Sequence, residues 1–520
     1  MVATSHPAAA EVGRDILRQG GSAVDAAVAT AAALTIVEPT SNGLGGDAFA
    51  LVWDDDGPGP AGLHGYNGSG RAPAALTAET VRAAGHDTMP VHGWLSVTVP
   101  GQVRAWADLH ERFGRLSWAH VLEPAVRLAR EGCRVPPVVA HYWQRAVTGA
   151  ASRSGAEFAG FLPTFAPAPT VGARVSLPDH ARTLERIADR GADDFYTGEI
   201  AAAVAEFARG TGGLLTEDDL AAHTGEWVEP ITLGFGRYAL AEIPPNGQGI
   251  AALVALGILR GLDDGLGDDL ATAASLHLQI EAMRLAFADA FAFVADPAHA
   301  EVPVEGLLSE AYLSSRRAAI GDRRAEVSAG VPPRGGTVLL CAADERGQTI
   351  SLIQSNFHGF GSGVVVPGWG IALQNRASGF VLDDGHPNRL APGKRPFHTI
   401  IPGFLFDGDR PLGPFGVMGG HMQAQGHLQV LLHTSRGADP QQALDAPRWR
   451  VESTVDGDVV LLEPGLAVAA EGLRARGHTV VVTGDDDGGF GRGQAIWHAP
   501  AGTGWVAGSE TRCDGLAAGY

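Results

Sequence analysis

Thr337 and Ser355 are the residues whose types and spacing most directly suggest chemistry. Residues 337–343 and 349–357 are β-type runs joined by the turn Asp344-Glu345-Arg346-Gly347, a hairpin pattern. Pairing across a turn centred on Glu345-Arg346 sets Thr337 opposite residue 354 or 355, depending on loop length. Two hydroxyls then meet at one end of a sheet. Just upstream, residues 320–336 are polar and carry Arg323, Arg324, Pro332, Pro333, Arg334 and Gly335-Gly336, the composition of an exposed connector. A threonine whose preceding peptide bond is cut holds its own α-amine beside its hydroxyl. That amine has an ordinary pKa of roughly 8, so it serves as a general base near neutral pH. No Ser-His-Asp triad is required, and the 19 histidines need not supply a base. The plain alternative is an ordinary strand threonine and a sheet serine.

A second feature is Gly419-Gly420, which follows the strand-like run 413–418 and opens a predicted helix over 420–434. Backbone N–H groups at such a point favour negative charge, and glycines admit a tetrahedral oxyanion closely. Local sequence by itself favours a tight strand-to-helix turn. Asn42-Gly43-Leu44-Gly45-Gly46 resembles a phosphate cradle, yet no Lys-Ser/Thr follows, so a turn packed on a sheet is expected. His277, Glu281 and Arg284 share one side of a predicted helix over 270–294 and read as a structural face rather than a metal site.

Helices are expected at 8–19 and, capped by Ser22 with Asp25 three residues on, from there to about Val37. The second is apolar nearly all round, as in a helix buried between layers. Amphipathic helices are expected over 101–131 and 181–209, with further helices starting at Thr216 and spanning 465–476. Strands are expected at 48–53, 363–366, 399–406, 459–462 and 480–482. Strands and helices in separate blocks suggest a layered α/β protein with antiparallel sheets.

Bulk composition narrows the function. A net charge of −20 repels phosphate backbones, so nucleic acid is not an expected partner. The acids are scattered, with short runs at Asp54–Asp56 and Asp485–Asp487 that read as solvated loops. Cys133, Cys341 and Cys513 fit no zinc spacing, and their odd number argues against a disulfide framework. Cys341 lies in an apolar run and is expected buried. There is no signal-peptide pattern and no apolar run long enough to span a membrane, so a cytoplasmic setting is expected.

The chain resembles the γ-glutamyltranspeptidase family of N-terminal-nucleophile hydrolases from end to end. The matching pieces include Gly20-Gly21-Ser22-Ala23-Val24-Asp25, Leu44-Gly45-Gly46, Val99-Pro100-Gly101, Glu123-Pro124-Ala125, Pro244-Pro245 and Asp296-Pro297. Later come Thr337, Phe360-Gly361-Ser362-Gly363, Lys394-Arg395-Pro396, Gly419-Gly420 and Ala518-Gly519-Tyr520. The resemblance implies a four-layer αββα sandwich and self-cleavage between Gly336 and Thr337 into a large subunit 1–336 and a small subunit 337–520. The two would form one composite domain, and two such units could pair. It implies Thr337 as nucleophile, Ser355 as a second catalytic hydroxyl, Gly419 and Gly420 as oxyanion hole, and His398 and Thr399 as a substrate-contacting pair. It implies no metal or organic cofactor.

The departures from the family pattern concern the substrate. Ser69 stands where the γ-glutamyl enzymes place an arginine for the substrate α-carboxylate, with Arg71 shifted by two. Gly379 replaces the acid that grips the α-amino group, Arg376 an amide, Phe357 an asparagine, and Leu339 a histidine. Arg71 and Arg376 could instead hold a carboxylate by bidentate contacts. The segments 353–357, Leu373-Gln374-Asn375-Arg376 and 396–400 resemble a separate branch of the family that includes oxamate amidohydrolase. Asn375 joins the expected substrate contacts on that ground. A small carboxylate-bearing amide is therefore the expected substrate. A γ-glutamyl hydrolase or transferase, including a glutathione hydrolase, is the alternative, and an uncleaved binding protein a third.

Overall fold

The computed structural model describes residues 1–55, 61–327, 336–454, 457–484, 487–500 and 504–520. Residues 328–335 of the connector, Asp56 and the Asp485-Asp486 pair lie outside the described residues.

Two antiparallel sheets form the centre. The first has seven strands, in the order Leu516–Ala518, Val2–Thr4, Gly336–Ala343, Thr349–Phe357, Asp47–Asp54, Gly62–Asn67 and Glu226–Val228. The second has six, in the order Trp505–Ser509, Arg492–His498, Arg410–Met418, Gly403–Asp407, Tyr238–Glu242 and Ile231–Phe235. Strand alternation divides the side chains between layers. Val338, Leu340, Ile350, Leu352, Ala48 and Ala50 face a core shared with the helices Pro7–Arg18 and Ala23–Val37. Leu339, Ile353, Phe49 and Leu51 face the other way, onto Phe404 and Met418 of the second sheet. The far side of that sheet packs on the helices Gly249–Arg260, Ala273–Phe293 and Met422–Ser435. The result is the four-layer αββα arrangement. Cys341, on the inter-sheet face, is fully buried as expected.

The helix Ala23–Val37 is buried at every position, as its all-round apolar character requires. Its capping box is present: Asp25 N–H donates to Ser22 Oγ at 3.0 Å, and Ser22 N–H to Asp25 Oδ2 at 2.9 Å. Several elements expected from the sequence are broken or shorter: residues 399–406 yield the strand Gly403–Asp407, and 465–476 a 3-10 segment followed by the short helix Ala470–Ala475. Residues 101–131 form two helices, Gln102–Phe113 and Trp118–Glu131, because Gly114 leaves the helical region. Residues 181–209 contain three, separated at Gly191 and Gly198. Residues 363–366 yield only the two-residue strand Val365–Val366. The apolar helix Gly249–Arg260 and the strands 231–235 and 238–242 carry no sequence expectation above, although they build half of the second layer pair. No helix among the described residues is long and apolar enough to cross a membrane.

Candidate active site

The hairpin forms as its sequence predicts, with strands Gly336–Ala343 and Thr349–Phe357 and Val338 opposite Gln354. Beyond that pair the register shifts and Gly336 lies opposite Phe357. Ser355 and Asn356 therefore bulge opposite Thr337, which re-aims the serine at the end of the strand. Thr337 Oγ1 donates to Ser355 Oγ at 3.2 Å, and the Phe357 N–H donates to the same Ser355 oxygen at 2.7 Å. Both hydroxyl residues are buried. Thr337 shares strand parity with Leu339, and Ser355 with Ile353, so both belong to the inter-sheet face at one end of the first sheet.

The glycine loop explains itself here. A Cβ on Gly46 would stand 2.7 Å from Ser355 O and 2.6 Å from Asn356 Oδ1. A Cβ on Gly45 would meet Ala372 O at 2.4 Å. The loop is a close-packed turn beneath the bulge, as expected, and it delivers Asp47 to the register position opposite Ser355.

Asp47 is a functional candidate that sequence reading missed. Its Oδ1 accepts from Gly70 N–H (3.1 Å), Gly101 N–H (3.0 Å) and Gln374 Nε2 (2.9 Å). Its Oδ2 lies 3.1 Å from His398 Nε2. Burial works to raise its pKa, but the hydrogen bond with His398 and the charge of nearby Arg376 hold it below the usual carboxylate range. One carboxylate thus ties four chain segments together around the site. Its sequence signal is faint: an acid directly after a glycine turn, in an otherwise apolar strand.

Arg376 is fully buried and donates from Nη1 to Thr399 Oγ1 at 2.8 Å. Its Nε and Nη2 have no hydrogen-bond partner among the described residues. The guanidinium stands over the Phe357 ring at 4.2 Å, in keeping with a cation–π contact. Burial pushes its pKa down to about 9 against the opposing pull of Asp47, so it stays charged at neutral pH. Arg71 differs: it is partly exposed and pairs with Asp296 at 3.6 Å. No contact among the described residues joins Arg71 to Arg376. Asn375 uses both ends of its amide structurally, accepting from His358 N–H (3.0 Å) and donating to Val91 O (2.9 Å).

Gly419 and Gly420 lie between the strand Arg410–Met418 and the helix Met422–Ser435, with φ of +135° and +63°. Neither N–H donates to a protein acceptor among the described residues. Gln248, also missed from sequence, links this turn to the arginine site. Its Nε2 donates to Gly420 O at 2.9 Å and Thr399 O at 2.7 Å, and its Oε1 faces His421 Nδ1 at 2.9 Å.

His398 and His421 are buried, and burial, followed by nearby positive charge, lowers each to about 3. Neutral imidazoles held this way position neighbours rather than exchange protons at pH 7. A pH effect follows. The unfolded His398 takes a proton below its ordinary value near 6.5 and the folded one does not, so stability falls as pH drops from that value towards 3. At pH 5 His398 is expected to cost about 2 kcal/mol, read as a lower melting temperature than at pH 7.5, with a shallower pH slope in His398→Asn. A midpoint flat across that range would contradict the assignment.

His277 and Glu281 join His478 in a buried cluster. His277 faces His478 Nε2 and Gly321 O, each at 2.8 Å, while Glu281 holds Arg284 at 2.6 Å and Ala325 N–H at 2.7 Å. These atoms are already engaged, and Arg284 adds positive charge. The cluster fastens the chain leading into the connector, in line with the structural reading.

Two stacked antiparallel sheets between helices, with paired hydroxyls at a strand start, define an N-terminal-nucleophile amidohydrolase or acyltransferase. The γ-glutamyltranspeptidase family model matches residues 9–520, and the chain belongs to that family. It is 34% identical to the glutathione hydrolase-like YwrD proenzyme of Bacillus subtilis, covering 100% of this chain and 98% of that protein. It is 35% identical to the oxamate amidohydrolase proenzyme of Klebsiella pneumoniae, with 100% and 98% covered. Among solved structures it resembles cephalosporin acylase from Bacillus halodurans at 48% identity, with a TM-score of 0.94 over 100% of this chain and 95% of that one.

Proposed function

We propose that the chain cleaves itself between Gly336 and Thr337, and that the freed Thr337 hydrolyses a small amide carrying a carboxylate on its acyl side. The observation that carries this reading is Arg376, a fully buried cation with two nitrogens unpartnered among the described residues, over the ring of Phe357, whose N–H holds Ser355 Oγ. A buried charge with open donors demands an anionic partner. Arg376 takes that role alone, since Arg71 already has Asp296.

The reaction has two halves. Thr337 Oγ attacks the amide carbon while its proton passes to the α-amine. The oxyanion accepts from the Gly419 and Gly420 N–H groups, the C–N bond breaks, and the amine leaves with that proton. Water then attacks the ester on Thr337, gives its proton to the α-amine, and releases the acid. Ser355 orients the Thr337 hydroxyl. A glycine is needed at 419, where φ is +135° and a Cβ would stand 3.2 Å from Gly491 Cα. Gly419→Ala is expected to lower kcat about a hundredfold by displacing one oxyanion donor, measured on cleaved enzyme. An unchanged kcat would remove Gly419 from the mechanism.

A grip on a zwitterionic amino-acid head is disfavoured locally. A Cβ at Gly379 would stand 2.8 Å from Phe397 O, so an acid does not fit there without movement. Ser69 donates to Asn67 Oδ1 at 2.7 Å and is fully buried. The test is a hydrolysis screen of oxamate, glutaryl amides, glutathione and γ-glutamyl-p-nitroanilide, the last with and without glycylglycine. Preference for oxamate or glutaryl amides supports the reading. Preference for γ-glutamyl compounds overturns it in favour of the hydrolase or transferase alternative.

A further inference from the structure

Among the described residues, Phe357 is the one residue other than glycine whose backbone is left-handed, with φ of +78°. A bulky L residue is strained there and persists only where its surroundings fix it. They do so here. Asn375 N–H donates to Asn356 O at 3.1 Å, and His358 N–H donates to Asn375 Oδ1 at 3.0 Å. Both chain neighbours of Phe357 are thereby pinned to the residue that precedes Arg376. Phe357 itself is buried and rejoins the strand ladder opposite Gly336, the residue before the proposed cleavage point. Strain held in place in this way clusters at functional sites.

The strained residue makes two contacts of different kinds. Its N–H reaches back two residues to Ser355 Oγ at 2.7 Å, which fixes the serine oxygen as the acceptor for Thr337 Oγ1 at 3.2 Å. Its ring lies under Arg376, whose guanidinium carbon stands 4.2 Å from the ring centroid. A planar cation resting on a ring face and tethered through Nη1 to Thr399 Oγ1 has its plane fixed. Nε and Nη2, the two nitrogens without a partner among the described residues, then form one edge of the fork. That edge suits a carboxylate held side-on by two parallel hydrogen bonds. We infer that Phe357 is a positioning residue with two separable duties: its left-handed backbone aligns Ser355 with Thr337, and its ring face orients Arg376 for the substrate carboxylate. This rests on the roles of Thr337 and Arg376 proposed above.

The test uses the full chain and separates the duties by residue type. Self-cleavage is followed on denaturing gels from freshly synthesised precursor, which needs no substrate. Glycine adopts this φ without strain, so Phe357→Gly keeps the N–H in place, removes only the ring, and should cleave itself within about threefold of the unaltered rate. Its KM for glutaryl-p-nitroanilide should rise at least about tenfold. Its kcat, and its KM for pentanoyl-p-nitroanilide, which lacks the carboxylate, should each change by less than about threefold. Valine, branched at Cβ, resists a left-handed φ, so Phe357→Val should slow self-cleavage at least about tenfold. Phe357→Tyr keeps the ring and should preserve both properties. If the glycine variant does not fold, Phe357→Leu, which has bulk but no π face, carries the ring arm. If the valine variant does not fold, the smaller and equally branched Phe357→Thr carries the backbone arm. Equal KM rises for both anilides, loss of self-cleavage in Phe357→Gly, or an unchanged cleavage rate in Phe357→Val overturns the inference. Failure of the function beneath it shows instead in the unaltered protein, as a single band or no hydrolysis of the glutaryl anilide, and removes the inference with it.

Discussion

Replacing Thr337 with alanine is expected to leave a single band near 53.8 kDa on a denaturing gel, where the unaltered protein yields fragments 1–336 and 337–520. The reason is the proposed double use of one oxygen. As Thr337 Oγ1 it attacks the Gly336 carbonyl carbon, the Gly336–Thr337 C–N bond breaks as the hydroxyl proton passes to the departing amine, and water opens the resulting ester; the same oxygen then attacks substrate with its own α-amine as base. Alanine removes the attacking atom from both steps, so turnover should fall at least about ten-thousandfold, to background. Thr337→Ser keeps the oxygen and should retain both activities at a reduced rate. The structure supplies the orientation: Ser355 Oγ accepts from Thr337 Oγ1 at 3.2 Å and is itself fixed by the Phe357 N–H. Cleavage of Thr337→Ala at the same bond, or turnover by an unbroken chain, would sink the scheme. Intact mass spectrometry decides the point.

The second large effect is expected at Arg376. Arg376→Met preserves much of the side-chain length and its contact with Phe357 but removes the charge. A lost charge-assisted pair in a buried site costs about 3–5 kcal/mol, so kcat/KM for a carboxylate-bearing amide should fall at least about a hundredfold. An amide lacking the carboxylate should lose far less, which separates a binding role from general damage. Equal losses for both amides would assign Arg376 to the framework instead of the substrate.

The relation between sequence and structure is clearest at these same residues. Local spacing was enough for the hairpin, because β-type runs and a short turn restrict pairing to one or two registers. It was enough for the Ser22–Asp25 cap, whose partners are three residues apart, and for the buried apolar helix that follows. The resemblance to the family, rather than spacing, showed residues other than the usual zwitterion grip at Ser69 and Gly379. What it left open concerned partners distant in the chain. Arg71 and Arg376 are chemically alike in sequence, yet one is matched by Asp296, 225 positions away by numbering, and the other is left with free donors inside the protein. Asp47 looked like one more acid in a chain of net charge −20, until folding gathered Gly70, Gly101, Gln374 and His398 around it. Gln248 acquired a role only when its single amide met both Thr399 and Gly420. Hydrogen bonds and desolvation act over a few ångströms of space, whatever the number of residues between the groups. By itself the sequence determined which atoms were available for amide chemistry; only tertiary packing decided which of them are buried, neutralised or left waiting for a ligand.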